Sequence, residues 1–188
     1  MRVSKETSWM GIAALTGGIL LTRVGHFGTF STPPDATLAV FFLAGLWIRS
    51  GWAFALLLAA AGLADQLAFA QGVSDWCVSP AYGFLIPTYA CLWAAGGASR
   101  ELDWRRPAAC ALGAGNLLAS LLAAFVISSG SFFLLSKYFA GVSGLDYWLS
   151  VARYLPHYVG WACAYVTTAI LARQLFATHA SSAHRAAS

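Results

Sequence analysis

Apolar residues in this chain come in long runs separated by short polar connections. A helix that crosses a bilayer needs roughly 20 mainly apolar residues, with a range of about 17–25. Six runs come close to that length, near 8–24, 34–48, 52–70, 83–98, 107–128 and 156–173. The second is short and is expected to start within the Thr32–Pro33–Pro34 turn, where proline suits a first helical turn. The third, WAFALLLAAAGLADQLAFA, is interrupted only by Asp65 and Gln66. The fifth, PAACALGAGNLLASLLAAFVIS, is long enough to cross with tilt. No repeat and no soluble domain is visible. The expectation is an all-α, polytopic membrane protein with six transmembrane helices, forming one integral membrane domain over residues 1–188.

Composition sharpens this reading. Of 188 residues 59% are hydrophobic and 10% are charged, against about 25% charged in a soluble domain. The net charge of +4 sits in short loops between apolar runs and forms no basic stripe, which argues against a nucleic-acid partner. Arg2 and Lys5 precede the first run, but no small-residue cleavage site follows before Arg23, so that run is read as a retained helix. The lipid bilayer is the expected surrounding.

Basic residues set the orientation. With the N-terminus inside, the inner side collects Arg2, Lys5, Arg49, Arg100, Arg105, Arg106, Arg173 and Arg185, and the outer side only Arg23, Lys137 and Arg153. Both termini are then cytoplasmic, and the connections 24–33, 71–82 and 129–155 lie outside. The last is long for a structureless loop. It carries Phe132, Phe133, Tyr138, Phe139, Tyr147, Trp148 and Tyr154, aromatics of the interfacial kind, and is expected to fold as a short interfacial helix or a cap. Small residues such as Gly96-Gly97 and Gly113-Ala114-Gly115 let membrane helices approach closely.

Few residues could carry chemistry. Asp65 and Gln66 fall within about two turns of the outer end of the third run, and a carboxylate at membrane depth faces a partner or a cavity. Two readings stand side by side: a structural pair with Arg23 or Arg153, or an acceptor in a ligand pocket. The four cysteines show neither a CxxC pair nor zinc spacing. Cys91 and Cys163 lie inside apolar runs, as buried small hydrophobes would, while Cys110 sits near the inner end of the fifth. Cys77 differs, lying in the outer connection GVSDWCVSPAYG with no cysteine on that side to pair with. It is either tolerated by burial or kept for reaction or metal ligation. His26 in RVGHFGTF and His157 after Pro156 read equally well as hydrogen-bonded interface residues. HExxH, a Ser/His/Asp order and a phosphate-cradling glycine loop are absent, so no ATPase motif is present.

Six short apolar runs in fewer than 200 residues resemble the S-components of energy-coupling-factor vitamin transporters. More narrowly, RVGHFGTF and PPDATLAVFFLAGLW, then LADQLAF and SDWCVSPAYGFLIPTYACLWAAG, and finally RYLPHYVGWACAYV resemble the BtuM family, solitary cobalamin-specific S-components of Gram-negative bacteria. The resemblance covers nearly the whole chain, and its specific part is Cys77 between Trp76 and the Pro80–Tyr82 turn. It implies cobalamin (vitamin B12) binding and uptake at a periplasmic site of the inner membrane. It further implies that the Cys77 thiolate ligates the corrinoid's cobalt and supports decyanation of cyanocobalamin, with no metal ion bound by the protein alone. A soft thiolate suits such a metal, and an axial thiolate weakens the bond on the opposite face. His26, Asp65, Gln66, Tyr82, Arg153 and Tyr154 would supply donors and acceptors at the outer mouth. The implied energising partner is a shared ATPase and coupling module, or none in the solitary branch. Two alternatives stay open: an S-component for another vitamin with Cys77 incidental, and a membrane sensor or interaction domain without a transported ligand.

Overall fold

The computed structural model describes residues 5–23, 34–48, 50–72 and 79–186, with side chains described from Trp9 to Phe176. The described residues are all-α. Seven α-helices follow in order: α1 Lys5–Arg23, α2 Thr37–Trp47, α3 Gly51–Ala70, α4 Leu85–Ala98, α5 Pro107–Leu135, α6 Gly144–Ala152 and α7 Leu155–Ala186. Short 3-10 turns at Pro80–Phe84 and Lys137–Phe139 lead into α4 and towards α6. The boundaries of α3 and α4 fall within two residues of those the hydropathy runs predict. Helix α5 continues seven residues past the predicted end, and α7 continues well beyond residue 173.

Two of these helices, Gly51–Ala70 and Pro107–Leu135, are long and apolar enough to cross a membrane by length and composition. Helix α2 is apolar but only 11 residues long, about 17 Å at 1.5 Å per residue. Its residues from Ala39 to Leu46 are all buried, with Phe41 and Phe42 fully enclosed. It is thus the axis of the bundle, wrapped by α1, α3, α4 and α7. Large apolar side chains are exposed on the outer helices instead, among them Leu118, Leu122 and Val126 on α5 and Leu171 and Leu175 on α7.

Glycine makes the central contact possible. Helices α2 and α4 cross so closely that a Cβ at Gly45 would lie 1.9 Å from the Trp93 carbonyl oxygen, and one at Gly96 2.0 Å from that of Phe42. Backbone against backbone cannot yield, so only glycine fits. The Phe41 ring stacks on Tyr89 at 4.4 Å, and Phe54 meets Phe41 edge-on at 5.3 Å. At one end of this axis Arg100 donates to the carbonyls of Gly45 (2.6 Å), Ile48 (3.2 Å) and Leu46 (3.4 Å). It satisfies the C-terminal carbonyls that a helix leaves open. Asn116 on α5 reaches Ser99 Oγ at the same end.

Candidate functional site

At the opposite end of the bundle, α1, α3 and α5 approach their C-termini while α4 and α7 begin. A charged cluster sits there. Arg23, in the last turn of α1, donates from Nε to Asp65 Oδ1 at 2.6 Å and from a terminal nitrogen to Oδ2 at 2.9 Å. Its other terminal nitrogen donates to Asp35 at 3.0 Å. The fork geometry of guanidinium suits this two-point grip on a carboxylate. Asp35 in turn accepts from the backbone N–H and the hydroxyl of Thr37, fixing the start of α2. Thr22 accepts from the Ala36 N–H at 3.1 Å, which ties the last turn of α1 to the same point.

Tyr82 completes the cluster. Ser79 caps the Pro80–Phe84 turn by accepting from the Ala81 N–H, and proline at the first position pre-sets its backbone. The turn delivers the Tyr82 hydroxyl to Asp65 Oδ2, to which it donates. Burial and this bond to a carboxylate push the phenol above its ordinary pKa, so it remains a donor at neutral pH. Arg23 and Asp65 have side chains only 10% and 7% exposed. Asp65 is therefore both the ion-pair partner of Arg23 and a wall residue.

The cluster forms one wall of a cavity of about 380 Å³, within the usual size range of small-molecule sites. Phe69 and Leu85 extend that wall, while Phe125, Ser128, Ser129 and Phe132 of α5 face it. Tyr147 and Val151 of α6, with Tyr154 and Tyr158, close the third side. Tyr147 donates to the Ser129 carbonyl at 2.7 Å, and its ring sits 4.6 Å from Phe133 and 4.7 Å from Phe139. Among the described lining residues the charged ones are Arg23 and Asp65, which pair with each other. Such a cavity suits a ligand with flat apolar faces and uncharged hydrogen-bonding groups better than a free ion.

Of the residues singled out from sequence, Asp65, Tyr82 and Tyr154 meet at this cavity. Gln66 is exposed and is not part of its lining. Arg153 lies outside the lining too, donating to the Tyr154 hydroxyl at 3.0 Å with its guanidinium 4.9 Å over that ring. His157 is exposed, edge-on to Trp161. Cys91, Cys110 and Cys163 are free thiols. His26 and Cys77 lie outside the described residues. Sequence reading missed Ser128 and Tyr158 as wall residues, and placed Ser129 and Tyr147 only within the 129–155 connection expected to form a cap. The adjacent serines inside an apolar run, and the Tyr154/Tyr158 spacing of one helical turn, were the available signals.

No protein-family model matches the chain, and comparison with curated proteins finds no relative.

Proposed function

We propose that the chain is a membrane-embedded cobalamin-binding and uptake protein, built as an S-component-like bundle. Helices α1, α3, α4, α5 and α7 join the short, buried α2 in a six-helix membrane bundle, both termini are cytoplasmic, and its ligand site opens to the periplasm of a bacterial inner membrane. The observation that carries this reading is the aromatic-walled cavity, with its described charges paired, at the end of the bundle from which the Cys77 connection leaves. Ala81 lines that cavity and follows Cys77 by four residues. Chain reach alone therefore keeps the Cys77 backbone within about 14 Å of the Ala81 backbone. The apolar leucines and valines on the outside of α5 and α7 support a lipid surrounding, since contiguous apolar surface is costly in water.

In the proposed chemistry the Cys77 thiolate takes the lower axial position on cobalt. Its electron donation weakens the upper bond, and cyanide departs with the bonding pair. Asp65 and Tyr82 meet the amide fringe of the corrin, and the rings of Phe132, Tyr147 and Tyr154 meet its apolar faces. An energising module is a proposed partner only if uptake proves to require nucleotide hydrolysis. A corrinoid is several times larger than 380 Å³, so the enclosed space takes one edge of the ring and leaves the rest towards the mouth. That same volume favours one rival reading, an S-component for a smaller vitamin with Cys77 incidental. Calorimetric titration of the purified protein with cyanocobalamin and, separately, with riboflavin distinguishes them. Saturable binding of cyanocobalamin alone supports the proposal, and its absence overturns it.

A further inference from the structure

Helix α6 carries three distinct faces, one of which has little against it among the described residues. Gly144, Tyr147, Trp148 and Val151, at helical spacings of three and four, turn towards the body of the protein. Tyr147 is 2% exposed, and the Trp148 ring packs 6.3 Å from Phe125 and over Gly130. Asp146, Ser150 and Arg153 form a second, polar stripe, and all three are exposed. Leu145 and Leu149, 69% and 64% exposed, form a third with Ala152. At 100° per residue the three stripes point about 100–140° apart. A helix between protein and water alone needs two faces. The apolar third face needs a third medium.

The position of α6 says which. Exposed Arg105 and Arg106 immediately precede α5 and mark the point where that helix enters the hydrocarbon. A core of about 30 Å at 1.5 Å per residue then ends about 20 residues later, close to Ile127. Helix α5 runs on to Leu135, about 12 Å further. Gly144 lies beside Phe133, and the Tyr147 hydroxyl reaches the Ser129 carbonyl. Trp148 meets Phe125, and α7 resumes against that same Phe125 ring through Tyr158. Helix α6 is thus confined to the layer between Phe125 and Phe133, the depth of the phospholipid headgroups and their acyl boundary. Leu122, Val126 and Leu134 of α5 are exposed apolar side chains as well.

We infer that the Leu145–Leu149–Ala152 face of α6 docks on the phospholipids of the outer leaflet. The Asp146–Ser150–Arg153 stripe faces water, so that the bilayer itself holds α6 in place as a wall of the cavity. Amphipathic helices dock in this way when an apolar face reaches the acyl boundary and polar groups stay wet. Lys137 and Arg153 lie at phosphate depth and suit an anionic headgroup layer.

This inference rests on the membrane reading proposed above, and one experiment separates their fates. Benzoylphenylalanine is placed, one site at a time, at Leu145, Leu149, Asp146, Ser150 and, on mid-span α5, Leu122. The full-length protein is irradiated in phosphatidylethanolamine/phosphatidylglycerol proteoliposomes and adducts are read by mass spectrometry. Phospholipid adducts at Leu122, Leu145 and Leu149, with little at Asp146 and Ser150, are expected. Adducts at Leu122 but none at Leu145 or Leu149 overturn the inference and leave the membrane reading standing. A cross-linked dimer from Leu149 in place of lipid overturns it in favour of a second copy. No lipid adduct even at Leu122 overturns both.

Discussion

Removing the carboxylate of Asp65 tests whether the charged cluster holds the bundle together or only decorates the cavity. In Asp65→Ala, Arg23 loses two of its charge-assisted hydrogen bonds, at 2.6 and 2.9 Å, and Tyr82 loses its acceptor. Breaking one side of a buried ion pair costs about 3–5 kcal/mol, because the remaining charge stays buried. Asp35 still neutralises Arg23 at 3.0 Å, so the loss is set at the lower end, about 3 kcal/mol. For a chain of this size 1 kcal/mol corresponds to about 2–4 °C in melting midpoint, which gives a drop of roughly 6–12 °C. Tryptophan fluorescence during thermal unfolding of detergent-purified protein measures it. Arg23→Met/Asp65→Leu, which removes both charges together, is expected to recover most of the loss, since replacing a buried pair by apolar residues is close to neutral. A melting midpoint unchanged in Asp65→Ala, with ligand affinity lost, would refute the structural role and leave Asp65 a ligand acceptor alone.

Three further outcomes are expected. Gly45→Ala places a Cβ 1.9 Å from a backbone oxygen and should destabilise by about 3 kcal/mol or more, whereas Gly62→Ala, with open space around it, should be neutral or better; equal midpoints in thermal unfolding would contradict the close crossing of α2 and α4. Tyr147→Phe removes the bond to the Ser129 carbonyl and should cost about 1 kcal/mol while loosening α6, read as faster hydrogen exchange over residues 144–152 with exchange in α2 unchanged. Introduced cysteines at exposed Asp146 and Glu101 should be labelled by an impermeant maleimide from the periplasmic and the cytoplasmic side respectively; the reverse pattern would invert the proposed topology.

Much of the architecture was legible because hydropathy and span length depend on local composition. Helix α3 was readable almost to the residue, because Ser50 and the Gln71–Gly72 turn bracket an apolar run broken only by Asp65 and Gln66. The end of α5 was not, since Ser128-Ser129-Gly130-Ser131 reads as a helix terminus. Those hydroxyls instead turn back onto the helix's own carbonyls, as Ser128 does to Phe125 and Ser131 to Ser128, and the extra turns pack on the aromatic cap. Helix α2 looked like a span that was merely short. Its burial on every side, imposed by Gly45 and Gly96, is a tertiary fact that no window of sequence carries. At the site, Asp65 was visible as a costly charge in an apolar run, and Arg23 as a partner for it. That Asp35, Tyr82 and Thr37 join the same cluster depends on where α1, α2 and the Pro80–Phe84 turn end in space. Gln66 illustrates the limit: one residue from Asp65, it is rotated 100° away and is exposed.

The claim at the centre of this account is that Cys77 ligates the cobalt of a bound corrinoid, and the visible absorption spectrum tests it most directly. Wild-type protein incubated with cyanocobalamin should show bands shifted from those of the free, base-coordinated vitamin, with cyanide released. Cys77→Ser keeps the size of the side chain but offers a harder, far less acidic donor. It should bind the vitamin more weakly and leave its spectrum unshifted, while Cys91→Ser, Cys110→Ser and Cys163→Ser behave as wild type. A shifted spectrum and continued cyanide release in Cys77→Ser would contradict the account, even with cobalamin bound.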